Sequence, residues 1–265
     1  MKEVIPIKRQ QQTAAKIVAS ARSSQKITTQ TLLAQLFEDF VPLNGDRVGG
    51  EDPAIIGGLA LFNGQPVTVI ATNKGTTLEE RMACHFGCPE PAGYRKALRL
   101  MKAAEKFNRP IITLVNTAGA YPGAHAEITG QGMAIANNLY EMSTLKTPII
   151  SVIFGEGGSG GALALACGDQ VWMTTDSMYS ILSPEGFAAI LWKDSQRADE
   201  AAAIMQLTPD ALQAAGVIDG IVDEPEDESI FCQNIASMLT EQLTQLQQLP
   251  VTHLLAQRQA RFRQF

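Results

Sequence analysis

Gly155 to Gly161 read GEGGSGG, between the apolar runs TPIISVIF and ALALACGDQVWM. Inside lies a literal G-x-S-x-G, Gly157-Gly158-Ser159-Gly160-Gly161, the pattern of a nucleophile elbow, in which a strained strand-to-helix turn exposes a serine. A second glycine turn, NTAGAYPG at 116–123, follows the apolar run IITLV. Two chemistries are open to this pair. In one, Ser159 attacks a substrate. In the other the serine is incidental, and unpaired backbone N–H groups at the two turns hold an oxyanion such as an enolate or ureido oxygen. A third reading gives the glycines no chemistry: they let helix and strand pack closely.

A serine nucleophile requires a base and a group to orient it. The chain has three histidines, His85, His125 and His253, and only His125 follows a glycine turn. Both neighbours of Ser159 are glycine, where an elbow usually has a bulky residue before its serine. GEGGSGG also lacks the Gly-Lys-Ser/Thr ending of a phosphate loop. Cys84, His85 and Cys88 are spaced C-x3-C with no second ligand pair, too few for four-coordinate zinc, so no metal is expected.

The elements that must position these turns are legible in outline. The chain has 265 residues, 45% hydrophobic and 18% charged, with a net charge of −6, which favours a sizeable core and argues against nucleic acid as a partner. No run is long enough to span a bilayer, and MKEVIPIKRQQQ has no apolar signal core, so no membrane insertion is expected. Four scattered cysteines suit a reducing cytoplasm. Residues 8–24 read as a surface helix, and Thr29 as the cap of a second helix, TLLAQLFEDFVPL. IIGGLALF and PVTVIA flank Asn63-Gly64-Gln65 as a hairpin. YRKALRLMKAAEKF is a helix whose basic residues form a solvated face. Then strand, glycine turn and helix occur twice, at Arg109-Pro110-IITLV with a helix through 127–145, and at Thr147-Pro148-IISVIF with the helix GALALAC. Short strands QVWM and MYSIL follow, then a helix opening at Ser183-Pro184-Glu185, and two more helices over 229–263. The alternation predicts an α/β fold with largely parallel strands.

These residues together resemble a known family. GDR at 45–47, EDPAIIGG at 51–58, PAGYRKALRLMKAAEKFNRPI at 91–111, GAYPG at 119–123, EGGSGGALA at 156–164, and SPEG with LWKD at 183–194 are similar to the α subunits of bacterial acetyl-CoA carboxylase carboxyltransferase, in order, from about residue 30 to 225. The resemblance implies a crotonase-like spiral of ββα units with flanking N- and C-terminal helices. Its expected parts within one domain over 1–265 are a helical region at 1–45, a core at 46–225 and C-terminal helices at 226–265. It implies transfer of a carboxyl group from carboxybiotin, borne covalently on a separate biotin carboxyl carrier protein, to acetyl-CoA, giving malonyl-CoA for fatty acid biosynthesis. It implies a β subunit in an α2β2 assembly, biotin carboxylase in the larger complex, and a structural zinc in the β subunit rather than here. The implied oxyanion hole uses the backbone of Gly119, Ala120, Gly160 and Gly161, with Gly157, Gly158, Ser159 and Tyr121 as expected substrate contacts.

Departures from the family pattern fall at Asn44, at Asn116 and Ala118, and at Ile128 and Thr129, while the donor glycines are intact. Lys74, Arg95 and Lys96 are candidates for CoA phosphates, with surface solvation as the alternative. A biotin-dependent decarboxylase would share the chemistry. A hydratase of the same fold often uses two carboxylates. Glu185 offers one, but apolar Leu163 stands where the other is expected. An assembly partner without an active-site role is the non-catalytic alternative.

Overall fold

The computed structural model describes residues 12–264. The strands are β1 (Glu38–Pro42), β2 (Ile55–Phe62), β3 (Gln65–Thr72), β4 (Ile111–Thr117), β5 (Ile149–Gly158), β6 (Gln170–Thr174), β7 (Met178–Ser180) and β8 (Gly220–Val222). They form one sheet in the order β1-β2-β3-β4-β5-β6-β8, with β7 paired to the far end of β5. β1, β2 and β3 are antiparallel neighbours, and every pairing beyond β3 is parallel. The β2–β3 hairpin turns at Asn63 and Gly64, both at positive φ, as a two-residue turn between right-twisting strands requires.

The helices are α1 (Ala14–Ala21), α2 (Thr29–Leu36), α3 (Leu78–Ala83), α4 (Pro91–Lys106), α5 (Ala124–Ile128), α6 (Gln131–Met142), α7 (Ser159–Ala166), α8 (Pro184–Trp192), α9 (Ala198–Ile204), α10 (Pro209–Ala214), α11 (Glu228–Gln247) and α12 (Val251–Phe262). Both sheet faces are buried, which is why IITLV and IISVIF are continuous apolar runs rather than alternating ones. Along β5, Ile150, Val152 and Phe154 face the core under α2 and α11, while Ile149 and Ile153 face the one under α4, α6 and α7. No helix among the described residues is long and apolar enough to cross a membrane.

Four expectations change. The helix expected to be capped by Thr29 and to run through Leu43 is capped by Thr28 and stops at Leu36, and Glu38–Pro42 is an edge strand on β2 with Asp39 at positive φ in its irregular register. So the region expected to be helical through residue 45 contains a strand. The expected 8–24 helix is α1, and Ile17, Val18 and Ala21 on it are buried rather than on a surface; its residues 8–11 lie outside the described ones. The 127–145 helix is two, α5 and α6, broken at left-handed Gly130. Finally, Lys102 and Lys106 of α4 are exposed as expected, but Arg95, Lys96 and Arg99 are engaged with the preceding loop rather than solvated. Arg95 bonds Asp46 at 2.7 Å, Lys96 is 2% exposed and pairs with Glu51, and Arg99 donates to the carbonyls of Leu43, Asn44 and Gly45. Together they pin the 43–52 loop to the helix.

Asp46 organises that loop. Its Oδ1 accepts from the amides of Val48, Gly49 and Gly50, and Oδ2 from Arg95. Burial by itself would raise this carboxyl's pKa, but the Gly50 and Val48 amides and Arg95 outweigh it and hold it at about 2. A depressed folded pKa gives stability that is present above the unfolded value of about 3.9 and lost as pH falls toward the folded one. Asp46→Asn should therefore cost on the order of 2 kcal/mol at neutral pH and almost nothing near pH 2. Urea unfolding of the two proteins across that range checks it, and a loss independent of pH would refute it.

Candidate functional site

β4 and β5 lie side by side in parallel, so the turns that follow them meet. The second turn is shorter than its sequence suggests. Gly155, Glu156, Gly157 and Gly158 continue β5, because β7 pairs with Glu156–Gly158 and extends the sheet there. Ser159 alone makes the reversal into α7, with φ of +55°. A serine in that region is strained, as in a nucleophile elbow. The rest of a hydrolase is missing: among the described residues no hydrogen bond joins Ser159 to any histidine. His85 instead stacks on Tyr121 with centroids 3.9 Å apart and lies 3.6 Å from Glu90.

The two turns interlock through missing side chains. A Cβ on Gly158 would overlap the Ala118 carbonyl. One on Gly161 would overlap the Ala120 amide nitrogen and stand 2.7 Å from both the Gly119 carbonyl carbon and the Tyr94 hydroxyl. One on Gly160 would meet only Ile135, at 3.8 Å. Gly157 and Gly158, expected to touch substrate, are buried inside β5 and serve this close packing; a Cβ on Gly157 would press on Tyr179. In the first turn the Gly119 amide donates to Thr117 Oγ1 at 3.1 Å, and Tyr121 is fixed by Pro89 and Gln131. The Ala120 amide has no partner among the described residues. Gly160 and Gly161 lie in the first turn of α7, whose amides have no carbonyl within the helix to bond. The two turns therefore meet where Gly161 packs its bare Cα against the Ala120 amide nitrogen.

Beside this contact opens a cleft of about 430 Å³, within the range of small-molecule sites, lined by Asn116, Ala118, Glu156, Lys74, Arg22 and Phe86 among others. Here the glutamate of GEGGSGG finds its role. The Glu156 side chain is 9% exposed and accepts from Lys74 at 2.7 Å and Arg22 at 2.8 Å. Arg22 also grips both oxygens of Glu185, at 2.7 and 3.2 Å. That bond is the main reason the Glu185 pKa is lowered. Glu185 is therefore held as a carboxylate by a guanidinium it shares with Glu156, and Leu163 places no acid on α7. Asn116, one of the departures, accepts from the Glu156 amide at 3.0 Å over Gly155. An amide there avoids a second carboxylate beside Glu156. Sequence reasoning missed Arg22 and Glu156 as a pair; the signal was a lone charge inside a buried strand, which must find a partner.

Cys84 is buried against Asn73 and the Pro53 carbonyl, apart from the stacked His85, and no group of three metal-ligating side chains exists among the described residues.

The family described as acetyl co-enzyme A carboxylase carboxyltransferase-like matches residues 7–265. The chain belongs to that family. A Streptococcus pyogenes serotype M5 (strain Manfredo) protein named acetyl-coenzyme A carboxylase carboxyl transferase subunit alpha is 53% identical over 255 residues, covering 95% of this chain and 98% of that protein. Among solved structures, the transcarboxylase 12S hexamer with methylmalonyl-coenzyme A and methylmalonic acid bound superposes with a TM-score of 0.69 at 22% identity, over 86% of this chain and 44% of that one. A Pseudomonas malonate decarboxylase hetero-tetramer in complex with malonate gives 0.66 at 15% identity, over 84% of each chain. The two structural likenesses bear on the fold alone, and they bear out the crotonase-like architecture. The parallel β4 and β5 of this carboxyltransferase-family chain are the repeated strand–turn–helix units expected from the sequence.

Proposed function

We propose that this chain is the α subunit of an acetyl-CoA carboxylase carboxyltransferase, acting with a β subunit to move a carboxyl group from carboxybiotin to acetyl-CoA and yield malonyl-CoA for fatty acid synthesis. The observation that carries the reading is the close approach of Gly161 to the Ala120 amide nitrogen, where the turns after neighbouring strands β4 and β5 meet; there the backbone amides of Ala120 and Gly161 would hold the oxygen. Both donors are backbone, so the site needs neither Ser159 nor a histidine. The cradle suits the ureido oxygen of biotin: it is small, lined by amides, and closed to any side chain at position 161. Biotin, presented by a separate carrier protein, supplies the carboxyl group and a ureido nitrogen that can take a proton. The work of this chain is to hold the oxygen whose charge grows as the carboxyl group departs. Such donors act most strongly in the transition state. Gly119, through its bond to Thr117, shapes the turn rather than donating, and Tyr121 braces it against His85.

In this reading the β subunit provides the thioester-binding half of the site, in an α2β2 cytoplasmic assembly that biotin carboxylase completes. The test is reverse transcarboxylation. Malonyl-CoA and biotinyl-lysine are mixed with this chain, with its β partner, and with both, and acetyl-CoA is followed. Turnover is expected only with both. Turnover by this chain alone, or by neither mixture when the complex is shown to assemble, overturns the proposal. Consumption of free malonate in preference to malonyl-CoA would point to a decarboxylase instead.

A further inference from the structure

We infer that Tyr94 is a positioning residue of the transfer site, its buried hydroxyl setting the gap between the Ala120 and Gly161 amides. The inference rests on the carboxyltransferase reading above. Tyr94 lies in the first turn of α4 and is wholly buried, at 0% exposure. Its hydroxyl has no hydrogen-bond partner among the described residues. It is not an idle oxygen in an empty pocket. It stands 2.7 Å from the point that a Gly161 Cβ would occupy, the same point that overlaps the Ala120 amide nitrogen. One position therefore touches the hydroxyl, the first glycine turn and the second.

The ring belongs to the core covered by α4, α6 and α7. Asp52 accepts from the Glu90 amide at 2.8 Å and the Ala54 amide at 2.9 Å, which fixes the start of α4. Gly93 packs its bare Cα against Asp52 and Ile55. The hydroxyl cannot swing away, so it acts as a stop against Gly161.

Leaving a buried hydroxyl unpaired costs stability, and phenylalanine would fill the same space without that cost. The oxygen's contribution is then at the turn it touches. Without it the start of α7 can settle toward the ring, and the Gly161 amide shifts and tilts relative to that of Ala120. Oxyanion donors are sensitive to displacements of this size. The hydroxyl's dipole is also fully buried beside Gly161, where it is poorly screened. Both effects are felt when charge gathers on the bound oxygen, not when substrate first binds.

The test is Tyr94→Phe in the complex with the β partner, read by reverse transcarboxylation and by thermal unfolding. The expected result is a fall in kcat of about tenfold, less than the loss of a direct donor. KM for malonyl-CoA and for biotinyl-lysine should stay as in wild type, and Tm should be equal or higher. Burial pushes the phenol's pKa up, so the hydroxyl stays protonated and the loss should be the same at every pH the complex tolerates. An unchanged kcat overturns the inference. So does a fall in Tm that accompanies the fall in kcat, since the hydroxyl would then be serving the fold. Inactivity of the wild-type complex sinks the parent reading and this inference with it, whereas an active wild type matched by Tyr94→Phe sinks this one alone.

Discussion

Gly161→Ala should lower the kcat of the assembled carboxyltransferase by at least about a hundredfold, the loss of one oxyanion donor, while Gly160→Ala should leave it near wild type. The two glycines are adjacent, both sit in the first turn of α7, and neither has positive φ. Helix propensity therefore treats them alike, and alanine would favour the helix at either place by roughly 0.5–1 kcal/mol. What separates them is the neighbouring turn. A methyl group at 160 meets only Ile135 at 3.8 Å, an ordinary contact. A methyl group at 161 meets backbone, namely the Ala120 nitrogen and the Gly119 carbonyl carbon, together with Tyr94. Backbone cannot rotate away as a flexible side chain can, so the first turn must move and carry its donor with it. Steady-state kinetics of both variants, with circular dichroism to show that each folds, decides the matter. Equal activity in the two would mean that the cradle is not where charge is stabilised.

That contrast marks how far the sequence could be read. The two glycine turns, the parallel strands feeding them and the helix capped at Ser183 were visible, because apolar runs bounded by glycine and proline leave few alternatives. GSGG looks the same at both of its last positions, however, and only the register of β4 beside β5 tells which one faces the other turn. Glu156 could be recognised as a buried charge, but its partners Arg22 and Lys74 are 134 and 82 residues away along the chain. β1 was hidden for a different reason. Phe37, Phe40 and Val41 continue the apolar spacing of α2, and the switch to an edge strand depends on a positive φ at Asp39 and on the free edge of β2. Arg95, Lys96 and Arg99 of α4 were misread as solvated because their acceptors, Asp46, Glu51 and the carbonyls of 43–45, lie in a loop with no pattern of its own. Periodicity reports which residues are buried; it does not report which charges meet.

The C-terminal helices illustrate the same limit, with a large expected effect on stability. Arg258 belongs to the polar run AQRQARFRQF, where nothing distinguishes it from exposed Arg263. In the fold it is 1% exposed, and its guanidinium is bonded on every side. It meets both carboxylate oxygens of Asp169 at 2.7 Å and donates to the carbonyls of Met142, Leu145 and Thr147. Asp169 in turn accepts from the Ile149 amide at 2.7 Å, at the first residue of β5. One side chain on α12 thus ties the end of α6, the loop after it and the base of the strand that carries the second glycine turn. Arg258→Met keeps most of the stem's volume but leaves Asp169 and three carbonyls buried without their donor. Breaking one side of such a pair costs about 3–5 kcal/mol. For a chain of this size that corresponds to a fall in Tm of roughly 6–20 °C. The stranded Asp169 carboxyl would take up a proton more readily in the folded state than in the unfolded one, so the loss should shrink as pH is lowered from neutrality. Adding Asp169→Asn removes the unpaired charge while keeping an acceptor for Ile149, and the double variant should be no less stable than Arg258→Met alone. Urea unfolding of the three proteins tests each step. A single variant within about 1 kcal/mol of wild type would place Arg258 among surface charges, whose pairs contribute no more than that, and would make α12 an appendage rather than the brace beneath β5.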